Sequence, residues 1–137
     1  MFALHQYAEE HGGNYPAGEA TPEASLSLLY PKYADTNVLR GKTVPEKVVH
    51  AILDRGERLS PKTCGWHYVE GLNLKDDRRL AILWDKARLG HNGELYPKRD
   101  TSVLFVNLGY ESIPEAKWDA FLTEQKALLA ARQKKRK

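Results

Sequence analysis

Cys64-Gly65-Trp66-His67-Tyr68-Val69-Glu70-Gly71 is the stretch that decides the fold class. Cys64, Trp66 and Tyr68 alternate with Gly65, His67 and Val69, the period of a half-buried strand, which ends at Gly71. Toward the C-terminus, Leu80-Ala81-Ile82-Leu83-Trp84 and Ser102-Val103-Leu104-Phe105-Val106 are short apolar runs rich in strand formers. Asn73 to Arg79 reads as a turn, and Asp85 to Thr101, with Gly90, Asn92, Gly93 and Pro97, as a long loop between those two strands. A further turn at Asn107-Leu108-Gly109 leads into a short fourth strand, Tyr110 to Ile113.

Toward the N-terminus the period changes to that of helices. Phe2 to His11 carries Leu4, Tyr7, Ala8 and His11 at i, i+3, i+4, i+7 spacing, and Gly12-Gly13 offers a stop. With no cap before it, this segment, residues 1–12, is expected to be the back half of a longer helix. Thr21-Pro22-Glu23 supplies a cap and a proline at the first helical position, with Leu26, Leu29 and Tyr30 on one face and Pro31 as a stop. Thr43-Val44-Pro45-Glu46 has the capping-box pattern and predicts a helix with Val48, Val49, Ile52 and Leu53 inward, closed by Gly56. Ser112-Ile113-Pro114-Glu115 repeats the pattern before a helix over 114–132 with Trp118, Phe121, Leu122, Gln125, Leu128 and Leu129 on one face. Residues 133–137 are left as a basic tail. Helices first and strands afterwards predict one α+β domain over 1–137, with an antiparallel sheet within 64–113 covered on one face by helices.

With 42% hydrophobic residues in 137, the chain can bury a core of ordinary size. No apolar run approaches the roughly 18 residues of a membrane-spanning helix, and no basic segment followed by an apolar one marks a secretory signal near Met1. Cys64 is the only cysteine, which excludes an internal disulfide and a thiolate metal cluster within one chain. Arg132, Lys134, Lys135, Arg136 and Lys137 are five of the 21 basic residues; the remaining 16 face 18 acidic ones, so the body is near −2 and the net +3 belongs to the tail. Such a cluster can meet nucleic acid or an anionic surface, but after a helix the solvated, frayed end that complements the helix C-terminus is the preferred reading.

Candidate chemistry is sparse. The histidines at positions 5, 11, 50, 67 and 91 form no metal-ligand pattern, and His50 is expected at the rim of its helix. Cys64 and His67 suggest a thiolate and its base, yet residues three apart on a strand point to opposite faces. Asp85 and Asp100 are candidate calcium ligands at the ends of the long loop, where Lys86, Arg88, Lys98 and Arg99 compete for the carboxylates and a solvated loop of ion pairs is preferred. Asp85 and His91 could serve a small hydrolase or isomerase. Trp66, Trp84 and Trp118 are expected in the core rather than on a stacking surface for single strands.

Leu4-His5-Gln6-Tyr7-Ala8-Glu9-Glu10-His11-Gly12-Gly13-Asn14-Tyr15-Pro16 resembles the region that follows the membrane helix in type II secretion pseudopilins of the general secretion pathway protein G kind and in type IV pilin-like proteins, particularly those of planctomycete type. The likeness continues in order. Ser25 to Tyr33 resembles the second helix of that family, Cys64 to Leu72 the first strand, Leu80 to Lys86 with His91-Asn92-Gly93 the second strand and its loop, and Val103 to Ile113 the final hairpin. The family's hairpin usually reads aspartate-glycine-histidine where this chain has Asn107, Leu108, Gly109 and Tyr110, and its cleaved leader and apolar helix are not among these residues.

The resemblance implies a pilin-like fold, an N-terminal helix packed on a small antiparallel sheet, here with an added C-terminal amphipathic helix. It implies a non-catalytic structural subunit of a pseudopilus or pilus-like filament, linked to type II protein secretion. The partners would be other pilin or pseudopilin subunits, assembled through the N-terminal helix, with no nucleic acid and no cofactor, calcium through Asp85 and Asp100 being the weak candidate. The full-length protein would lie in the cell envelope, at the periplasmic face of the inner membrane or in an extracellular filament, and these residues alone would be soluble. The interaction surface would be Phe2, Leu4, Tyr7, Ala8 and His11. The alternative readings are a binding module for nucleic acid or an anionic surface through the basic tail, and the Asp85–His91 enzyme.

Overall fold

The computed structural model describes residues 2–41, 44–86, 101–107 and 109–136. Four strands, β1 (Trp66–Tyr68), β2 (Ala81–Asp85), β3 (Thr101–Phe105) and β4 (Tyr110–Ile113), form one antiparallel sheet in chain order. The α+β class agrees with the sequence pattern, and the strands lie between Trp66 and Ile113. In β2, Ala81 faces Phe105 and Leu83 faces Leu104, so Ile82 is an extra residue, a bulge. A bulge turns two successive side chains to one side. Ile82 and Leu83 accordingly both enter the main core, whereas Ala81 and Trp84 belong to a second cluster.

These two clusters occupy opposite faces of the sheet. The main one gathers Leu4 and Ala8 of α1 (Phe2–Glu10), Leu26 of α2 (Pro22–Leu26), Leu39 of α3 (Thr36–Leu39) and Val49 and Leu53 of α4 (Glu46–Asp54) with Tyr68, Ile82, Leu83 and Leu104. The smaller one sets Phe121 of α5 (Trp118–Arg136) against Ala81, Val103 and Ile113, with Trp84, Phe105, Trp118 and Leu122 packed on it. Helices therefore cover both faces, not one as the element order suggests. Consecutive apolar residues such as Val103 and Leu104 point to alternate sides, and each side then needs a cover. The three tryptophans are half-buried rather than fully core.

The helix starts follow from where proline stands. Thr21 caps α2 by accepting from the Ala24 N–H at 3.0 Å, with Pro22 first in the helix. Neither helix starts at the position that its capping-box pattern predicts. Pro45 and Pro114 sit in extended backbone, with ψ of 138° and 147°, as the residues preceding the helical turns. Proline also drives its predecessor out of helical backbone, so Val44 and Ile113 cannot serve as first helical residues. Glu46 becomes the first residue of α4 and accepts instead from the Thr36 hydroxyl at 2.6 Å; Thr43 lies outside the described residues. Ser112 is spent in β4 opposite Ser102, and a 3-10 turn, Glu115–Lys117, precedes α5. The helix expected over 114–132 thus starts at Trp118 and runs through Arg136, so residues 133–136 extend it and are no separate tail. Val48, expected inward, is 41% exposed, since Val49 and Leu53 take the buried side of α4. The short helix α3, capped by Asp35 through the Val38 N–H, has no counterpart in the sequence reading.

Backbone polar groups at the joints are satisfied by buried side chains. After α1, Gly12 and Gly13 turn with φ of 67° and 90°, and the Gly13 N–H closes on the Ala8 carbonyl. The chain then bridges at Asn14 to Asn73, Tyr15 donates its hydroxyl to the Val106 carbonyl, and Tyr68 donates to that of Pro16. On the other face, Gln125 accepts from the Ala81 N–H at 2.8 Å and donates to the Arg79 carbonyl at 2.9 Å. Replacing Gln125 by Leu leaves the buried Ala81 N–H and the part-buried Arg79 carbonyl without that partner, a loss of about 1–3 kcal/mol, read as a lowered urea midpoint with unchanged slope. Gly65→Ala places a Cβ about 2.4 Å from the Arg40 carbonyl oxygen, backbone against backbone. The expected cost is about 1–3 kcal/mol, and a wild-type urea midpoint would show that the 40–41 loop yields freely.

Candidate interaction surface at the end of the first helix

The residues singled out on α1 divide by depth. Leu4 and Ala8 are wholly buried and hold the helix to the core, so neither is available to a partner. Tyr7 is half-buried and His11 exposed. The Phe2 side chain lies outside the described residues. Leu4 and Ala8 are one turn apart and share a face, while Tyr7 and His11 share the adjacent one.

Tyr7 and His11 stack with ring centroids 3.7 Å apart and planes 5° from parallel. Nδ1 of His11 lies 2.7 Å from the Tyr7 carbonyl oxygen. A carbonyl can only accept, so Nδ1 carries the proton and donates. Tyr33 stands edge-on to both rings, at 5.4 Å and 6.2 Å. Lys32 donates to Glu10 at 2.8 Å and lies 5.2 Å from the centre of the Tyr33 ring. Together with Leu28 these groups line a shallow depression of about 500 Å³. The hydrogen bond from Lys32 holds the Glu10 carboxyl below its usual range, and Glu10 in turn raises the ammonium. Burial, then Tyr33, pushes the Tyr7 phenol up. Glu10, Leu28, Lys32 and Tyr33 escaped the sequence reading as a site; Tyr30-Pro31-Lys32-Tyr33, a turn carrying two aromatics, was its available signal.

Elsewhere, groups with chemical potential are used internally. Cys64 is buried and its thiol is pushed up to about 11 by burial, so it is no nucleophile. His67 lies on the exposed side of β1 against the Trp84 ring, its proton affinity lowered by burial and then by Lys86. Asp85 is at the end of β2, whereas His91 and Asp100 lie outside the described residues, as do the calcium and Asp85–His91 arrangements that need them. Among the described residues no group of three or more possible ligands could hold a metal ion, and no helix is long and apolar enough to cross a membrane. Arg132, counted with the basic tail, instead pairs with Asp76 at 2.7 Å and donates to the Gly71 carbonyl, fastening α5 to the turn before β2. Side chains of 133–136, and Lys137, lie outside the described residues. His50 is exposed on α4, as expected of a rim residue.

Lys86 pairs with Glu23 at 2.8 Å and also donates to the Pro61 carbonyl. Burial is the largest influence and works to raise the Glu23 carboxyl, but the hydrogen bond from Lys86, a backbone hydrogen bond at Glu23 and the charges of Lys86 and His67 together outweigh it, and the net shift is downward. A carboxyl held low in the fold adds stability that is full above its unfolded value and fades as the pH falls through its folded one. Lys86→Met should cost about 1–2 kcal/mol at neutral pH, discounted for partial exposure, and the difference from wild type should shrink on acidification through the carboxylate range. A gap that is constant with pH in chemical unfolding curves would mean that Glu23 does not depend on Lys86. Cys64 should react with a thiol reagent in the unfolded chain and negligibly in the folded one at neutral pH. Equal rates would place the thiol at the surface.

The chain matches no family model, no curated protein and no solved structure, which leaves the residues themselves, and the resemblance they carry, as the grounds for a function.

Proposed function

We propose that this domain is the globular head of a pilin-like or pseudopilin-like filament subunit, a structural part with no catalytic role. The observation that carries the reading is the way α1 seats in the main core. Ala3, Leu4 and Ala8 sink into the core while Tyr7 and His11 stay at the surface, so one helix both anchors in the head and offers a contact face. That arrangement suits an apolar helix continuous with α1, which would bundle with its neighbours in the cell envelope while the heads cover the outside. The ordered likeness from Leu4 to Ile113 supports the same reading. The partners are then other pilin or pseudopilin subunits, and a link to type II secretion follows from the family resembled.

The gene decides it. Its reading frame upstream of Met1 should encode an apolar stretch of roughly 20 residues, and the product should fractionate with the membrane and cross-link to itself through cysteines placed in that stretch. A frame without such a stretch overturns the proposal. Within a product that does assemble, His11→Ala should lower head-to-head cross-linking while membrane recovery stays at the wild-type level.

A further inference from the structure

Among the described side chains of α1, the buried ones are two methyl groups, Ala3 and Ala8, and one isobutyl group, Leu4, with Tyr7 partly buried against the same cluster. By contrast β2 buries Ala81, Ile82 and Leu83 between two layers. The contacts seen at its C-terminal end are exposed or half-exposed: the Tyr7–His11 stack, the Tyr33 edge, and the Glu10–Lys32 pair. The Tyr33 edge and the Glu10–Lys32 pair tie the last turn of α1 to the loop that follows the 3-10 turn Ser27–Leu29, and the Tyr7–His11 stack shapes that turn. Regions with little buried apolar surface open at lower free energy than the core of the same protein.

We infer that α1 is a separately opening unit, undocking while the sheet stays folded, and that the latch of Tyr7, His11 and Tyr33 with Glu10 and Lys32 sets how often it does so. The latch closes over the helix end: the His11 ring donates to the Tyr7 carbonyl, one of the last-turn acceptors that the helix leaves without an internal partner. Opening it frees that carbonyl, the stack and the ion pair together, so the unit moves as one. The inference concerns the isolated domain and does not rest on the filament reading. If that reading holds, the joint between helix and head is adjustable.

Amide hydrogen exchange of the domain under native conditions tests it. The amides of Tyr7 to His11 should be at least roughly tenfold less protected than those of Ile82 to Trp84. His11→Ala, at an exposed position, should accelerate exchange in α1 by a further two- to tenfold, on the order of one aromatic pair, and leave Ile82 to Trp84 unchanged. Tyr33→Leu, which keeps apolar bulk and removes the ring edge, should act in the same direction. Equal protection of α1 and β2 in the wild type overturns the inference. So does a His11→Ala variant in which α1 and β2 accelerate alike, because α1 would then open only with the whole domain.

Discussion

The constraint on which the rest of the structure depends is the burial of β2 from both sides. Ala81, Ile82 and Leu83 are each at most 1% exposed, and a strand with apolar residues in succession cannot be served by one layer of helices. The bulge at Ile82 decides how the load is shared. It gives two large side chains to the face occupied by α1 to α4 and leaves Ala81 and Trp84 for α5. Ala81 is small, and α5 approaches closely enough there for Gln125 to reach the backbone of both Ala81 and Arg79. A buried amide inside an otherwise apolar contact would be costly without those two bonds. With them it fixes where α5 crosses the strand.

Several distant features follow from that placement. With Phe121 and Gln125 seated on the sheet, the helix reaches the turn before β2 seven residues further on, where Arg132 meets Asp76 and the Gly71 carbonyl. Leu128 and Leu129 pack at the edge of the main cluster, so α5 joins the two cores. On the opposite face, Tyr15 and Tyr68 carry hydroxyls into the interior, and each reaches a backbone carbonyl of another segment. Burial raises both phenols, Tyr68 the more strongly, so both remain neutral donors at ordinary pH. The segment after α1 is thereby sewn to the sheet by side chains, as the ladder contact there is a lone bridge between Asn14 and Asn73.

How far the sequence spoke for the structure depended on the range of the interaction. Strands, the α2 cap at Thr21 and the apolar stripe of α5 are local patterns, and all are present. The two capping boxes are local too, and both misplace the helix start for one reason. In Thr21-Pro22 the proline directly follows the cap and suits the first helical position. In Thr43-Val44-Pro45 and Ser112-Ile113-Pro114 one residue intervenes, and that residue is pushed extended by the proline behind it. The pattern of residue types was right and its spacing to proline decided against it. The second helical layer was illegible from element order, because only the bulge and the register show that Ala81 and Val103 face away from Ile82 and Leu104.

The candidate surface was legible by half, for a reason that also bears on what it can do. Spacing alone put Leu4, Tyr7, Ala8 and His11 on one face, yet a helix packed on one side shows a partner only the margin of its apolar stripe. Leu4 and Ala8 hold the helix; Tyr7 and His11 remain at the margin, where Tyr33 comes to them, and Lys32 to Glu10, across 22 or more residues of chain. No window short enough to show a helical period spans that distance. Leu4 and Ala8 thus anchor α1 in the core, whereas Tyr7 and His11 give its exposed end a shape and also latch it to the neighbouring loop. A partner contacting this surface would read Tyr7, His11 and Tyr33 as one aromatic unit, because the stack and the two edge contacts fix the rings relative to each other before anything binds.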